Sequence, residues 1–170
     1  MTRLDDSPPT PAEDHSQIGA SVHRAIVVGF GPVGRLVDER LTVQGCAVTI
    51  VEMNLSTIQA QLGLERRCTY GDAREPETLR RAGVERAHAL IVAVPDEDAA
   101  VEIVRVARGL RPDLYIAART NFVSRGIKAK AAGANDVVIE EIVTAEAMAG
   151  LVSRQWCPID PPSGDGPGGG

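Results

Sequence analysis

The stretch AIVVGFGPVG, residues 25–34, decides how this chain of 170 residues is expected to fold. Apolar residues lead directly into a Gly-x-Gly-x-x-Gly pattern formed by Gly29, Gly31 and Gly34, and a helical pattern follows. In a nucleotide-binding turn the first glycine permits the tight bend, the second lets the backbone approach a pyrophosphate, and the third lets the helix pack on its strand. The N–H groups and the positive dipole end of that helix are then available to phosphates. The stretch therefore predicts a phosphate-binding strand–turn–helix unit.

A carboxylate at the end of the second apolar run supports this interpretation. Glu52 closes the run Ala47–Val51, about 20 residues after the glycines, where an acid can accept hydrogen bonds from a ribose. The alternative is a solvated acid at the end of a strand. No Arg or Lys follows Glu52 until Arg66, so a 2′-phosphate would meet a carboxylate without a neutralising cation. The pattern favours NAD over NADP.

Composition and charge exclude several classes of protein. Hydrophobic residues make up 44% of the chain and aromatic residues only 3%, which is typical of a parallel sheet filled by Val, Ile, Leu and Ala. The net charge of −5 argues against binding of nucleic acid. No apolar run has the roughly 20 residues of a membrane span, so no direct membrane insertion is expected. Cys46, Cys68 and Cys157 lack metal-ligand spacing and are interpreted as structural thiols, with Cys157 the one suspected of exposure.

The pattern of elements predicts one α/β domain. A disordered leader is expected at 1–21, the folded domain at 22–156 and a disordered Pro/Gly tail at 157–170. Strands are predicted at Arg24–Val28, Ala47–Glu52, Arg67–Tyr70, Ala89–Val94, Leu114–Ala118 and Asp136–Ile139. Helices are predicted at Val33–Gln44, Leu55–Leu62, Pro76–Ala82, Asp96–Arg108, Phe122–Ala132 and Glu141–Arg154, with Gly109 just after the fourth. This alternation predicts a doubly wound, parallel, six-stranded Rossmann-like sheet in the order 3-2-1-4-5-6.

The candidate binding residues lie at the carboxyl ends of the strands, where such sheets bind ligands. Asp72 has two interpretations, a ligand contact or a turn residue, since Gly-Asp suits a loop. Arg119 is interpreted as a phosphate or ribose contact or as a surface arginine. The candidate set consists of Gly29, Phe30, Gly31, Pro32, Val33, Gly34, Glu52, Met53, Asn54, Gly71, Asp72, Ala73, Val94 and Arg119.

The sequence offers no catalytic apparatus beside this predicted crevice. It contains no Ser-His-Asp or Cys-His set, and His88 lies at the amino end of the fourth strand, away from the crevice. A hydride-transfer enzyme usually has a second region that binds substrate and supplies an acid or base. A non-catalytic, ligand-binding domain without a metal is therefore expected.

Several motifs together resemble the RCK N-terminal domain, also called TrkA-N or KTN. They are VGFGPVG at 28–34, Val51-Glu52, YGDA at 70–73, LRRAGV at 79–84, ALIVAV at 89–94, ARTN at 118–121 and AGANDVV at 132–138. The resemblance implies binding of NAD(H), AMP or ADP/ATP, with the glycines and Glu52 at phosphate and ribose, Asp72 near the base, and Arg119 reaching the ligand. It also implies regulation of a potassium channel or cation–proton transporter of the Trk, Ktr or Kef type.

This chain departs from that family in two ways. Many members have Arg where this chain has Pro32, which removes one phosphate-binding cation, and neighbouring Arg35 is the candidate replacement. No second lobe is expected from this sequence, which makes a Kef-like arrangement or a free-standing subunit the nearer comparison.

The leading hypothesis is a regulatory domain that senses NAD(H) or an adenine nucleotide. The alternatives are an NAD-dependent oxidoreductase with an interfacial substrate site and a scaffold that has lost its ligand. The last predicted helix carries more apolar residues than one sheet face needs, so it either caps the sixth strand or contacts a partner. The resemblance favours a homodimer with Met148, Leu151 and Val152 at the contact. We expect a cytoplasmic location, free or held at the inner face of the membrane through the partner.

Overall fold

The computed structural model describes residues 22–156, so the leader predicted at 1–21, the tail predicted at 157–170 and Cys157 lie outside the described residues. Six strands form one parallel sheet in the order β3-β2-β1-β4-β5-β6. The strands are β1 Arg24–Val28, β2 Ala47–Glu52, β3 Arg67–Tyr70, β4 Ala89–Val92, β5 Tyr115–Thr120 and β6 Asp136–Ile139. The doubly wound Rossmann-like fold and its strand order are confirmed.

Helices follow each strand and cover both faces of the sheet. They are α1 Pro32–Val43, α2 Leu55–Leu62, α3 Pro76–Arg81, α4 Glu97–Leu110, α5 Val123–Ala131 and α6 Glu140–Trp156. A single 3₁₀ turn, Val84–Arg86, lies between α3 and β4 and was not predicted. Because the connections of β1 and β4 leave the sheet on opposite faces, a crevice opens where these two strands adjoin.

The central strands are buried on both faces, as a parallel sheet between helices requires. Ile26 of β1 and Leu90 of β4 are 1% and 0% exposed and belong to the main apolar cluster with Ile103 and Val104 of α4. Val27, which alternates with Ile26, packs on the other face, where its Cγ1 lies near Gly34 of α1. The glycine turn at the end of β1 is thus mounted on a rigid, fully buried strand.

Three strand boundaries differ from the prediction, one in β4 and two in β5. β4 ends at Val92 rather than Val94, because its neighbour β1 ends at Val28 and Val28 pairs with Val92. β5 begins later than predicted, at Tyr115, which pairs with Ala89, the first residue of β4, and it ends later because Arg119 and Thr120 still pair with β6. Pairing with neighbouring strands sets these boundaries. The residues of a strand do not by themselves reveal that pairing.

The prediction for Gly109 was wrong. This glycine lies inside α4, which continues to Leu110, and the N–H of Arg111 donates to the carbonyl of Ala107 at 2.9 Å. The helix stops because Arg111 adopts an extended conformation before Pro112. Gly109 therefore does not mark the end of the helix.

Candidate functional site

A crevice of about 360 Å³ opens at the carboxyl edge of the sheet, between β1 and β4. The glycine turn forms one wall, and the residues after β2 and β3 continue it. The loop after β4 and the start of α4 form the opposite wall, and Arg119 at the end of β5 closes one end. The volume falls within the range of small-molecule sites.

The glycine turn is shaped by close backbone packing. Gly29 has a φ of +88°, which favours glycine, and a Cβ there would lie 3.1 Å from backbone atoms of Ala93 and Val94. A Cβ on Gly34 would lie 1.9 Å from the carbonyl oxygen of Gly29, whereas one on Gly31 would meet no atom within 4 Å. Gly29 and Gly34 are therefore needed by the fold, and Gly31 leaves open space toward the crevice.

The first turn of α1 provides hydrogen-bond donors to this space. Its N-cap is Gly31, no side chain caps it, and no acidic residue lies in the first turn. Pro32 occupies the first helical position, where its lack of an N–H removes no intrahelical bond. The backbone N–H groups that follow, together with the positive end of the helix dipole, suit a phosphate.

Glu52 is held directly above the glycine turn. Its Oε2 accepts from the N–H of Phe30 at 2.8 Å, and its Oε1 accepts from the N–H groups of Met53 and Asn54 at 2.7 and 2.9 Å. These three bonds fix the carboxylate in the crevice and leave one acceptor position, on Oε2, for a hydroxyl donor. The arrangement argues against a freely solvated acid.

Asp72 and Arg74 form a bidentate ion pair at the mouth of the crevice. Arg74 donates to both carboxylate oxygens, with its Nη2 2.6 Å from Oδ2 and its backbone N–H 2.9 Å from Oδ1. The Arg74 guanidinium holds the pKa of Asp72 below its usual value. Asp72 thus bonds the backbone of its own turn, as the turn interpretation predicts, and it also lines the crevice, so the ligand contact stays a prediction.

Arg119 enters the crevice from β5 and contacts the start of α6. Its Nε lies 2.7 Å from Oε1 of Glu140, and its Nη2 donates to Asn121 at 3.1 Å. The Nε atom is buried, and despite this short distance its N–H makes no hydrogen bond of good geometry within residues 22–156. Arg119 also lines the crevice, which makes its guanidinium a candidate donor to a ligand oxygen.

Two other arginines near the turn are occupied elsewhere. Arg35 donates from Nε to the carbonyl of Phe30 at 3.1 Å and lies over the Phe30 ring at 5.6 Å. Arg66 pairs with the buried carboxylate of Asp38 and also approaches the Phe30 ring. Neither arginine lines the crevice. Arg35 therefore supplies no cation to the crevice lining in place of the one that is missing at position 32.

Most of the predicted residues converge on the crevice. Twelve of the fourteen line it, namely Gly29, Phe30, Gly31, Pro32, Val33, Glu52, Met53, Gly71, Asp72, Ala73, Val94 and Arg119. Gly34 lies behind the wall as a packing contact of Gly29. Asn54 caps α2, since its Oδ1 accepts from the N–H of Thr57 at 3.1 Å.

Sequence reasoning missed several lining residues. Arg74, Asp96, Ala99 and Ile103 also line the crevice. Asp96 was identified only as a helix cap, although its position after β4 already placed it at the edge where ligands bind. Ala99 lies about one helical turn after Asp96, on the same side of α4. The sequence gives no indication that Ile103, further along α4, lines the crevice.

The histidine and cysteine side chains of residues 22–156 lie away from the crevice. His88 Nδ1 accepts from the backbone N–H of Arg24 at 3.0 Å at the amino edge, and its ring lies edge-on to His23. Cys46 and Cys68 are half-buried free thiols, and burial raises the pKa of Cys68. Residues 22–156 contain no cluster of side chains suited to a metal ion.

The fold and the crevice define a nucleotide-binding domain of the Rossmann class. The TrkA-N domain model matches residues 25–140, and the chain belongs to the TrkA-N domain family. It is similar to the glutathione-regulated potassium-efflux system protein KefC of Klebsiella pneumoniae strain 342, at 31% identity over 78% of this chain and 21% of that protein. It is also similar to the putative cation/proton antiporter YbaL of Escherichia coli K12, at 30% identity over 90% of this chain and 26% of that protein.

Solved structures agree with this assignment. The TrkA-N domain of the inner membrane protein ybaL from Escherichia coli superposes with a TM-score of 0.74 at 30% identity, covering 77% of this chain and 97% of that domain. The AMP-bound Kef CTD of Shewanella denitrificans gives 0.65 at 28% identity over 76% and 81% of the two chains. The NAD-bound GsuK channel gives 0.70 at 25% identity over 79% and 24%.

The chain spans about a quarter or less of the curated relatives that it matches. Among residues 22–156, none of the helices combines the length and apolar character that a membrane crossing requires.

Proposed function

We propose that this chain binds NAD(H) or an adenine nucleotide in the crevice and thereby regulates cation transport by a membrane protein. The observation that carries the proposal is the position of Glu52, fixed by the N–H of Phe30 at 2.8 Å beside the uncapped start of α1. The carboxylate offers its remaining acceptor position to a ribose hydroxyl, and the helix offers donors to a phosphate. AMP, NAD and ADP in the structures of similar domains support this ligand class.

The charges around the crevice favour a ligand of low net charge without a 2′-phosphate. Arg74 and Arg119 are paired with carboxylates, and Arg66 is held by Asp38 outside the crevice. A 2′-phosphate beside Glu52 would meet no unpaired cation in the lining. We therefore expect NAD(H) and AMP to bind more tightly than NADP(H) and ATP.

The ion pair of Arg119 with Glu140 provides a physical route from the crevice to α6. Glu140 is the first residue of α6, and the next residue, Glu141, donates its N–H to the carbonyl of Asn121 at 3.1 Å. A ligand oxygen bound by Arg119 competes with Glu140 for the same guanidinium. Ligand binding would thus alter the anchoring of α6 and shift the population of its orientations.

Helix α6 supports a homodimer as the responding element. None of its side chains is buried within residues 22–156, and Met148, Leu151 and Val152 are more than half exposed. This exposure favours a partner over a cap on β6. We propose a two-fold dimer through α6, placed at the cytoplasmic face of a potassium channel or a cation–proton antiporter.

Titration calorimetry on the full chain tests the ligand assignment. NADH and AMP should bind more tightly than NADPH, and Glu52→Gln should weaken NADH by about tenfold, because hydrogen bonds to a charged acceptor contribute on the order of 1.5–3 kcal/mol. Glu39→Gln, an exposed acid on α1, is the matched control and should change nothing. Tighter binding of NADPH, or unchanged NADH binding in Glu52→Gln, would contradict the proposal.

A further inference from the structure

A second polar cavity, of about 300 Å³, lies at the amino edge of the sheet, opposite the crevice. The first residues of β1, β2 and β3 form its floor, and the turn between α3 and β4 forms its roof. The guanidinium-bearing residues Arg24, Arg67, Arg81 and Arg86 all line it. Nothing in the nucleotide-binding role described above uses this cavity.

The strand register explains why two of these arginines face the same space. Arg24 pairs with Ala47, and Thr49 pairs with Arg67, so all four side chains point to one face of the sheet. The Cα atoms of Arg24 and Arg67 are separated by two strand spacings and two residues, roughly 12 Å, which long side chains can bridge. The small side chain of Ala47 leaves space between them.

The roof adds a third cation. Arg86 lies in the 3₁₀ turn, next to Ala87, and Gly83 begins the turn with a φ of +88°. Arg81 lines the cavity with its stem, while its guanidinium donates to the carbonyl of Tyr70 at 3.2 Å. The guanidinium groups available to a ligand are those of Arg24, Arg67 and Arg86.

Within the part of the chain that the structure describes, these three arginines have no carboxylate partner. Seven other arginines in residues 22–156 lie within 4.0 Å of a carboxylate oxygen, but Arg24, Arg67 and Arg86 do not. The chain as a whole has a net charge of −5, so the cluster does not reflect a general excess of basic residues. Uncompensated positive charge around a concave polar surface attracts anions.

We propose that this cavity is a second anion site, which binds a phosphate-bearing group through Arg24, Arg67 and Arg86. Guanidinium groups form bidentate, charge-assisted hydrogen bonds to phosphate oxygens, and three of them around one cavity suit an anion of more than one charge. The hydroxyl of Thr49 lies on the floor as a further hydrogen-bonding group. The group belongs either to a soluble phosphorylated compound or to an anionic lipid headgroup.

Calorimetry with inorganic pyrophosphate on the full chain in 0.15 M NaCl tests the site. The Gly31→Ala variant serves as the background, because its nucleotide turn is expected not to accept a phosphate. Binding should persist in that background and should weaken at least tenfold in Arg67→Gln/Arg86→Gln, since charge-assisted bonds are lost. Arg80→Gln/Arg105→Gln is the matched control, because both of its arginines are exposed and paired outside the cavity.

A parallel experiment identifies the source of the phosphate. Sedimentation with vesicles of phosphatidylglycerol, with and without pyrophosphate, is measured for the same variants. If the chain binds vesicles through Arg67 and Arg86, and pyrophosphate displaces it, the site binds a lipid headgroup. If the chain binds pyrophosphate but not vesicles, the site binds a soluble compound. Both support an anion site. Absence of binding in both experiments, or equal binding in Arg67→Gln/Arg86→Gln and its control, overturns it.

Discussion

The glycine turn and helix α6 differ in how much of their hydrogen bonding and packing residues 22–156 provide. In the turn, Gly29 and Gly34 pack backbone against backbone, and Glu52 accepts three N–H groups. In α6, none of the residues is buried within 22–156, and Trp156 at its end is 81% exposed. The turn is complete without a partner, whereas the apolar surface of α6 remains uncovered.

This difference separates a rigid binding element from a responding element. The turn is preorganised because its hydrogen bonds and packing are present without a ligand, so binding costs little ordering. α6 has few contacts of its own, and the ion pair of Arg119 with Glu140 ties its first residue to the crevice. The first two predictions below each perturb one of these regions and leave the other unchanged, and the third perturbs the ion pair at the mouth of the crevice.

The largest effect is expected from Gly34→Ala. The added methyl group would lie 1.9 Å from the carbonyl oxygen of Gly29, and neither backbone can move without disturbing the turn. We expect a loss of about 3 kcal/mol in the free energy of unfolding, measured by urea denaturation. Gly109→Ala is the control, since its Cβ meets nothing within 4 Å inside α4 and it should stabilise by about 0.5–1 kcal/mol. Equal stability of the two variants would refute the packing argument.

An intermediate effect is expected from Met148→Asp in α6. The side chain is 60% exposed, so the charge should change the stability of one chain by no more than about 0.5 kcal/mol. If α6 forms the dimer, burying the new carboxylate should raise the dissociation constant at least tenfold, as measured by analytical ultracentrifugation.

The control for this variant is Ser153→Asp, which introduces the same carboxylate at an exposed position about 140° around α6 from Met148, on the side away from the proposed contact. It should leave the dimer intact. If the wild-type chain is monomeric at micromolar concentration, the proposed dimer through α6 is wrong.

The smallest effect concerns the ion pair at the crevice mouth. Arg74 lowers the pKa of Asp72 in the folded chain, so the pair stabilises the fold above the ordinary carboxyl pKa and loses this contribution as the pH falls through the lowered value. Asp72→Asn should therefore lower the free energy of unfolding by less than about 1 kcal/mol at pH 7, and the deficit should shrink as the pH falls below the ordinary carboxyl pKa. Urea denaturation over a series of pH values measures this, and a deficit that does not change with pH in the acid range would contradict the assigned cause.

The parts of the molecule set by local sequence were predictable, and those set by distant contacts were not. Gly29, Gly31 and Glu52 could be located because a β-branched run, a glycine turn and a strand-end acid are adjacent in sequence. The end of β5 at Thr120 depends on pairing with β6, and the depth of Ile103 in the crevice depends on how α4 packs. Arg66 forms an ion pair with Asp38, which is distant in the sequence. This contact holds Arg66 away from the crevice, and the sequence alone does not reveal it.

Hydrogen–deuterium exchange with and without NADH tests most directly whether the crevice senses a nucleotide and α6 responds. We predict slower exchange in residues 29–35 and altered exchange at the start of α6, near Glu140, when NADH is added to the full chain. Gly31→Ala should show neither change, because its methyl group stands where the phosphate approaches the backbone. Protection of the turn with no change in α6 would contradict the regulatory coupling, and identical exchange throughout the chain with and without NADH would contradict nucleotide binding itself.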